Sequence, residues 1–180
     1  MDKKLRYITG RGGSAQGGLS TYLATLSSDY CALAIDQEFL AHNFEEQVVT
    51  TRQFCRTENS YVIANSYGAY LLLQSLIDQP PMSAYVLLLS PVLGRAMDPE
   101  QMLLSRPPRE STLHQAIEEK RLGVPRNLSI VTGKEDEICD CNLATHFAAK
   151  LGAHISILEG EGHMITSNVV ATTVREFISQ

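Results

Sequence analysis

The sequence predicts an α/β fold, a doubly wound, mostly parallel six-stranded sheet with helices on both faces. Two observations carry this expectation. Short apolar runs alternate with stretches of helical periodicity along the whole chain, the signature of linked βαβ units. Several of these runs are continuously apolar rather than alternating, as strands buried on both faces of a parallel sheet must be.

Taken in order, the first strand is expected over 5–9 and ends at the glycine-rich turn Gly10-Arg11-Gly12-Gly13-Ser14, ahead of a helix over 19–28. A strand over 31–35 leads to a helix around 44–56. The third strand, 61–65, runs through Ser66 straight into a helix over 67–78, whose Leu71-Leu72-Leu73 stripe is helix packing. Strand 84–90 opens a long connection, 97–125, with four prolines (Pro99, Pro107, Pro108 and Pro125) and one helix at 111–122. That stretch reads equally as a surface connection or as a short lid over the carboxyl edge of the sheet. Strand 128–132 gives way to an acidic turn and a helix over 142–151, with Gly152 placed to end it. Strand 154–158 leads through a second glycine turn to a final helix over 166–179.

Composition bounds the function. A chain of 180 residues with 44% apolar content can form one domain, 1–180, with a full core, burying about 70% of the surface of its unfolded form. With 15 Lys+Arg against 20 Asp+Glu the net charge is −5, which leaves no basic footprint for nucleic acid or an anionic membrane surface. The longest apolar run, 84–89, is far short of the ~20 residues that span a bilayer. No export signal follows the basic residues at 3–6, so a cytoplasmic protein is expected. The cysteines, Cys31, Cys55, Cys139 and Cys141, have no repeated spacing and read as reduced thiols. Cys139, Cys141 and His146 lack a fourth ligand for a metal site.

In an open parallel sheet, sites form beyond the carboxyl ends of the strands. Three such positions carry chemistry. Ala64-Asn65-Ser66-Tyr67-Gly68 has the layout of a nucleophile elbow, with small residues two before and two after the serine. A helix starting at Tyr67 aims free N–H groups and the positive end of its dipole at an oxyanion formed on Ser66. A serine hydroxyl also needs a base held by a carboxylate. Gly133-Lys134-Glu135-Asp136-Glu137 follows the fifth strand and Gly160-Glu161-Gly162-His163 the sixth, so Ser66, Asp136 and His163 appear as nucleophile, acid and base at one sheet edge. Glu135, Glu137, Asp140 and Asp98 are alternative acids. His42, His114, His146 and His154 lie outside the strand-end turns. The oxyanion donors are expected to be the backbone N–H groups of Tyr67 and Arg11, with Gly12 in place of Arg11 if the loop bends one residue later. As a nucleotide loop the first turn fits poorly, because Ala15 occupies the sixth place and no Lys-Ser/Thr pair follows, although Asp36 stands where a ribose-binding acid would.

Through these motifs the chain resembles the α/β-hydrolase superfamily, specifically its small members with little or no cap. The resemblance spans essentially the whole chain. It implies a parallel sheet flanked by helices, Ser66 as nucleophile, His163 as general acid/base and Asp136 as the orienting acid, with no metal or organic cofactor. Two departures stand out: Ala64 replaces the first elbow glycine, and Thr9 stands where many esterases carry the histidine of a His-Gly pair. The activity expected is hydrolysis of a small carboxylic ester or thioester. An acyltransferase, a peptidase using the same triad, or a non-catalytic hydrolase-fold binding protein are the alternatives.

Overall fold

The computed structural model describes residues 3–96 and 106–180. In chain order the elements are β1 (Lys4–Arg11), α1 (Gly18–Ala24), β2 (Tyr30–Ile35), α2 (Gln37–Ala41), α3 (Phe44–Cys55), β3 (Ser60–Asn65) and α4 (Tyr67–Ser75). The second half continues with β4 (Tyr85–Leu89), α5 (Glu110–Glu118), β5 (Asn127–Gly133), α6 (Cys141–Leu151), β6 (His154–Leu158) and α7 (Ser167–Ile178). All six strands join one parallel sheet in the order β2-β1-β3-β4-β5-β6. The expected doubly wound α/β architecture is the one observed.

Why the strands are continuously apolar is visible in their two faces. Ile8, Val62, Ala64, Val86, Leu88 and Ile130 point to one side, where Val48 of α3, Tyr70 of α4, Ile117 of α5 and Phe147 of α6 cover them. Leu5, Tyr7, Tyr61, Ile63, Leu87 and Leu89 point to the other, under Leu23 of α1 and Val170, Val174 and Phe177 of α7. Successive residues of a strand therefore feed two separate cores, and polar alternation has no place in them.

Helices α1, α4 and α5 are shorter than predicted, each for a local reason. Helix α1 stops at Ala24, where the Thr25 hydroxyl donates to the Tyr22 carbonyl at 2.7 Å, and Ser27 turns back to the carbonyl of Lys3. Helix α4 ends at Ser75, and α5 ends before Lys120 at φ 56° and Leu122, which forms an antiparallel bridge with Ile77. Helix α2 has no counterpart among the predicted helices, since five residues are too few to display a period. Asp36 starts it, accepting the Phe39 N–H at 2.9 Å, which is a capping role rather than a ribose-binding one.

The lid reading of 97–125 falls in part outside the described residues, at 97–105. Its described remainder is tied down: Glu110 accepts the Arg95 N–H at 3.0 Å and pairs with Arg106 at 2.9 Å, and the Tyr70 hydroxyl donates to the Pro108 carbonyl.

Candidate active site

The strand order reverses direction between β1 and β3, so the helices that follow these two strands leave on opposite faces and open a crevice at their carboxyl ends. Ser66 lies there. It is the hinge residue between β3 and α4, at φ 51° and ψ −118°, a backbone conformation that costs a non-glycine residue about 1–3 kcal/mol. Its neighbours hold it: the Ser66 N–H donates to the Leu89 carbonyl at 2.9 Å and its carbonyl accepts the Val92 N–H at 3.1 Å. The sharp turn also brings α4 hard against β1. A Cβ on Gly68 would stand 2.2 Å from the Thr9 carbonyl oxygen, so only glycine fits there, whereas the fully buried Ala64 is accommodated two residues before the serine.

Across the edge, His163 Nε2 lies 2.9 Å from Ser66 Oγ, and His163 Nδ1 lies 2.9 Å and 3.1 Å from the two oxygens of Asp136. The Asp136 side chain is fully shielded from water while 14% of the His163 side chain is exposed. Burial alone would raise the Asp136 pKa. Hydrogen bonds from His163 and from the N–H groups of Cys139 and Ile138, with the adjacent imidazole charge, outweigh it and hold the carboxyl below its ordinary value. The Cys139 and Ile138 N–H groups donate to Oδ1 at 2.8 Å and 2.9 Å, and the buried Thr132 hydroxyl donates to Oδ2 at 3.1 Å. Sequence reasoning missed all three donors. An aspartate opening a tight turn is a readable signal for an N–H two residues on, but nothing in the sequence aims Thr132. The loop bearing His163 reaches Asp136 because Gly133 has no side chain: a Cβ there would sit 2.0 Å from the Glu161 carbonyl oxygen.

Several of the alternative acids and bases are engaged elsewhere. Asp140 caps α6, accepting the Asn142 N–H at 2.8 Å. Glu135 and Glu137 are exposed, and Asp98 lies outside the described residues. His114 binds the Leu93 carbonyl, His146 pairs with Glu118, and His42 faces Glu46. Cys139 does not join Cys141 and His146 in a ligand set: it is buried beneath Asp136, and burial pushes its thiol up to about 12.

The oxyanion side is shaped by a bulge. Between Ile8 and Arg11 the register slips, with three steps on β1 matching two on β2 from Leu33 to Ile35. The Thr9 hydroxyl accepts the displaced Ile35 N–H at 2.8 Å, so the residue that departs from the His-Gly pattern repairs the ladder. Gly12 donates its N–H to the Ile35 carbonyl at 2.7 Å, which removes it as an oxyanion donor. Arg11 remains, one residue beyond Gly10, where an added Cβ would lie 3.2 Å from Ser66 Cβ. Tyr67 opens α4, so its N–H has no partner within the helix. A separate cavity of about 180 Å³, lined by Arg52, Cys55, Ser75 and Met82 among others, shares no residue with this site.

Comparison with known proteins bears on the family and the fold. The profile of the serine hydrolase family matches residues 36–170. Among solved structures, the chain is similar to the ydeN gene product of B. subtilis, with 17% identity over 99% of this chain and 100% of that one at a TM-score of 0.67. It is similar to the esterase RhEst1 of Rhodococcus sp. ECU1013, with 17% identity over 99% and 91% of the two chains and a TM-score of 0.66. It also resembles the butyrate-bound esterase Est2 of Thermogutta terrifontis, with 15% identity over 99% and 84% and a TM-score of 0.59. No curated protein sequence matches it significantly. With three quarters of its length inside the family profile and the sheet of an α/β-hydrolase beneath its strand-end serine, the chain belongs to the serine hydrolase family.

Proposed function

We propose that the protein is a serine esterase that cleaves small carboxylic esters or thioesters through an acyl-enzyme on Ser66. The observation that carries this reading is the continuous line of hydrogen bonds from Ser66 Oγ through His163 to the buried Asp136. The esterase names of several structural neighbours, one of them holding butyrate, are in keeping with it.

The geometry supports the following steps. Ser66 Oγ attacks the carbonyl carbon as its proton passes to His163 Nε2, and Asp136 stabilises the imidazolium. The carbonyl oxygen becomes an oxyanion facing the N–H groups of Tyr67 and Arg11, each donor contributing about 10²–10³ in rate by analogy with other oxyanion holes. His163 then returns the proton to the departing alkoxide or thiolate as its bond to the acyl carbon breaks. Water, deprotonated by the same nitrogen, releases the acid and restores Ser66.

Ser66→Ala is expected to lower hydrolysis of p-nitrophenyl butyrate by at least about 10³-fold. The same variant should lose labelling by a fluorophosphonate, the covalent reagent for activated serines. Labelling retained in Ser66→Ala, or absent from the natural protein, would overturn the proposal.

A further inference from the structure

The strand order also says which way a substrate points. Ser66 follows β3; Arg11 ends β1 on one flank, while Asp136 and His163 follow β5 and β6 on the other. A leaving group must depart toward His163, which protonates it, so the acyl chain lies on the side of Ser66 away from that turn, the side on which the β1 flank stands. Arg11 ends the strand on that flank. The guanidinium lies over the Tyr67 ring, 5.6 Å from its centroid, on the residue next to the nucleophile, and it is exposed. Of the other arginines beyond the strand ends, Arg106 pairs with Glu110 and Arg109 with Glu45, while Arg95 follows β4 on the opposite flank of Ser66 from β1. Among the described residues no carboxylate pairs with Arg11. The leaving-group flank is the opposite in character, with Glu135, Glu137 and Glu161 around the His163 turn. The amino end of α4, beginning at Tyr67, adds positive potential on the Arg11 side of Ser66.

Building on the esterase reading above, we infer that the site selects esters whose acyl part ends in a carboxylate, half-esters of short dicarboxylic acids, with the Arg11 side chain binding that carboxylate. A guanidinium held over an aromatic face is suited to a two-point contact with a carboxylate. A charge pair at an exposed site of this kind gives about a fivefold preference.

The test compares kcat/KM for monomethyl glutarate and methyl pentanoate, which differ only in a terminal carboxylate against a methyl group, followed by acid release at constant pH. The ratio of the two is the readout, because the Arg11 backbone N–H also serves the reaction. In Arg11→Gln the ratio should fall about fivefold, Arg11→Lys should keep part of it, and added salt should erode it in the natural protein. Placing the carboxylate on the alcohol side, in 2-carboxyethyl acetate against propyl acetate, should bring no gain. An equal ratio in the natural protein and Arg11→Gln, or a gain on the alcohol side, would overturn the inference while leaving the esterase reading intact. No cleavage of any ester together with no fluorophosphonate labelling would remove both.

Discussion

At the scale of single residues the site concentrates cost and compensation. Ser66 occupies a strained backbone conformation because two strand-end carbonyl and N–H partners over-determine it. Asp136 is kept charged out of water by its donors, and this leaves a thermodynamic trace. Its folded pKa lies below the ordinary 3.8, so on acidification the unfolded chain takes up this proton first. Its contribution to stability is therefore present above 3.8 and disappears as pH falls through the lower folded value. Asp136→Asn should flatten the acid limb of the stability curve in urea unfolding below that pH. The same change should lower kcat by about 10⁴-fold, since an amide cannot hold the imidazole in the right tautomer. An unchanged acid limb would show that the donors do not favour the charged carboxyl.

At the scale of elements, the proposed activity rests on how closely α4 lies on β1. Gly68→Ala places a methyl group 2.2 Å from the Thr9 carbonyl oxygen, and backbone must move to admit it. A loss of about 3 kcal/mol in urea unfolding is expected, with a drop in kcat/KM as the Ser66 hinge shifts. Much of this scale was legible beforehand. All six strands lie where the short apolar runs put them, and the central ones are continuously apolar because a strand feeding two cores has little freedom in composition. Helix ends were less legible, since side-chain bonds such as Thr25 to Tyr22 and positive-φ residues such as Lys120 decide them. The positions of Ser66, Asp136 and His163 at strand ends could be read from the chain. Their support could not: Thr132 is an ordinary strand residue until the turn after β5 folds Asp136 back over it. The β1 bulge was likewise hidden, because one extra residue in a run of Thr9-Gly10-Arg11 leaves no pattern in composition.

At the scale of the whole molecule the sheet is a septum between two cores, and every site residue stands on its rim. Phe177 of α7, 3% exposed, meets the Tyr61 ring edge-on at 5.6 Å in the core away from α4. Phe177→Ala should cost about 3–5 kcal/mol. We propose that the chain unfolds as one domain, in which case circular dichroism and tyrosine fluorescence should report a single, coincident thermal transition at a lower temperature in this variant. Two separated transitions would show that the cores melt independently. The order of the strands has a further consequence. On the proposed reading the nucleophile follows the third strand of the chain and its base lies in the turn after the sixth, so nothing short of the full sheet would activate Ser66. During synthesis the elbow emerges well before His163, and a nascent or prematurely ended chain carries the serine without the group that arms it. On that reading incomplete copies would be chemically silent.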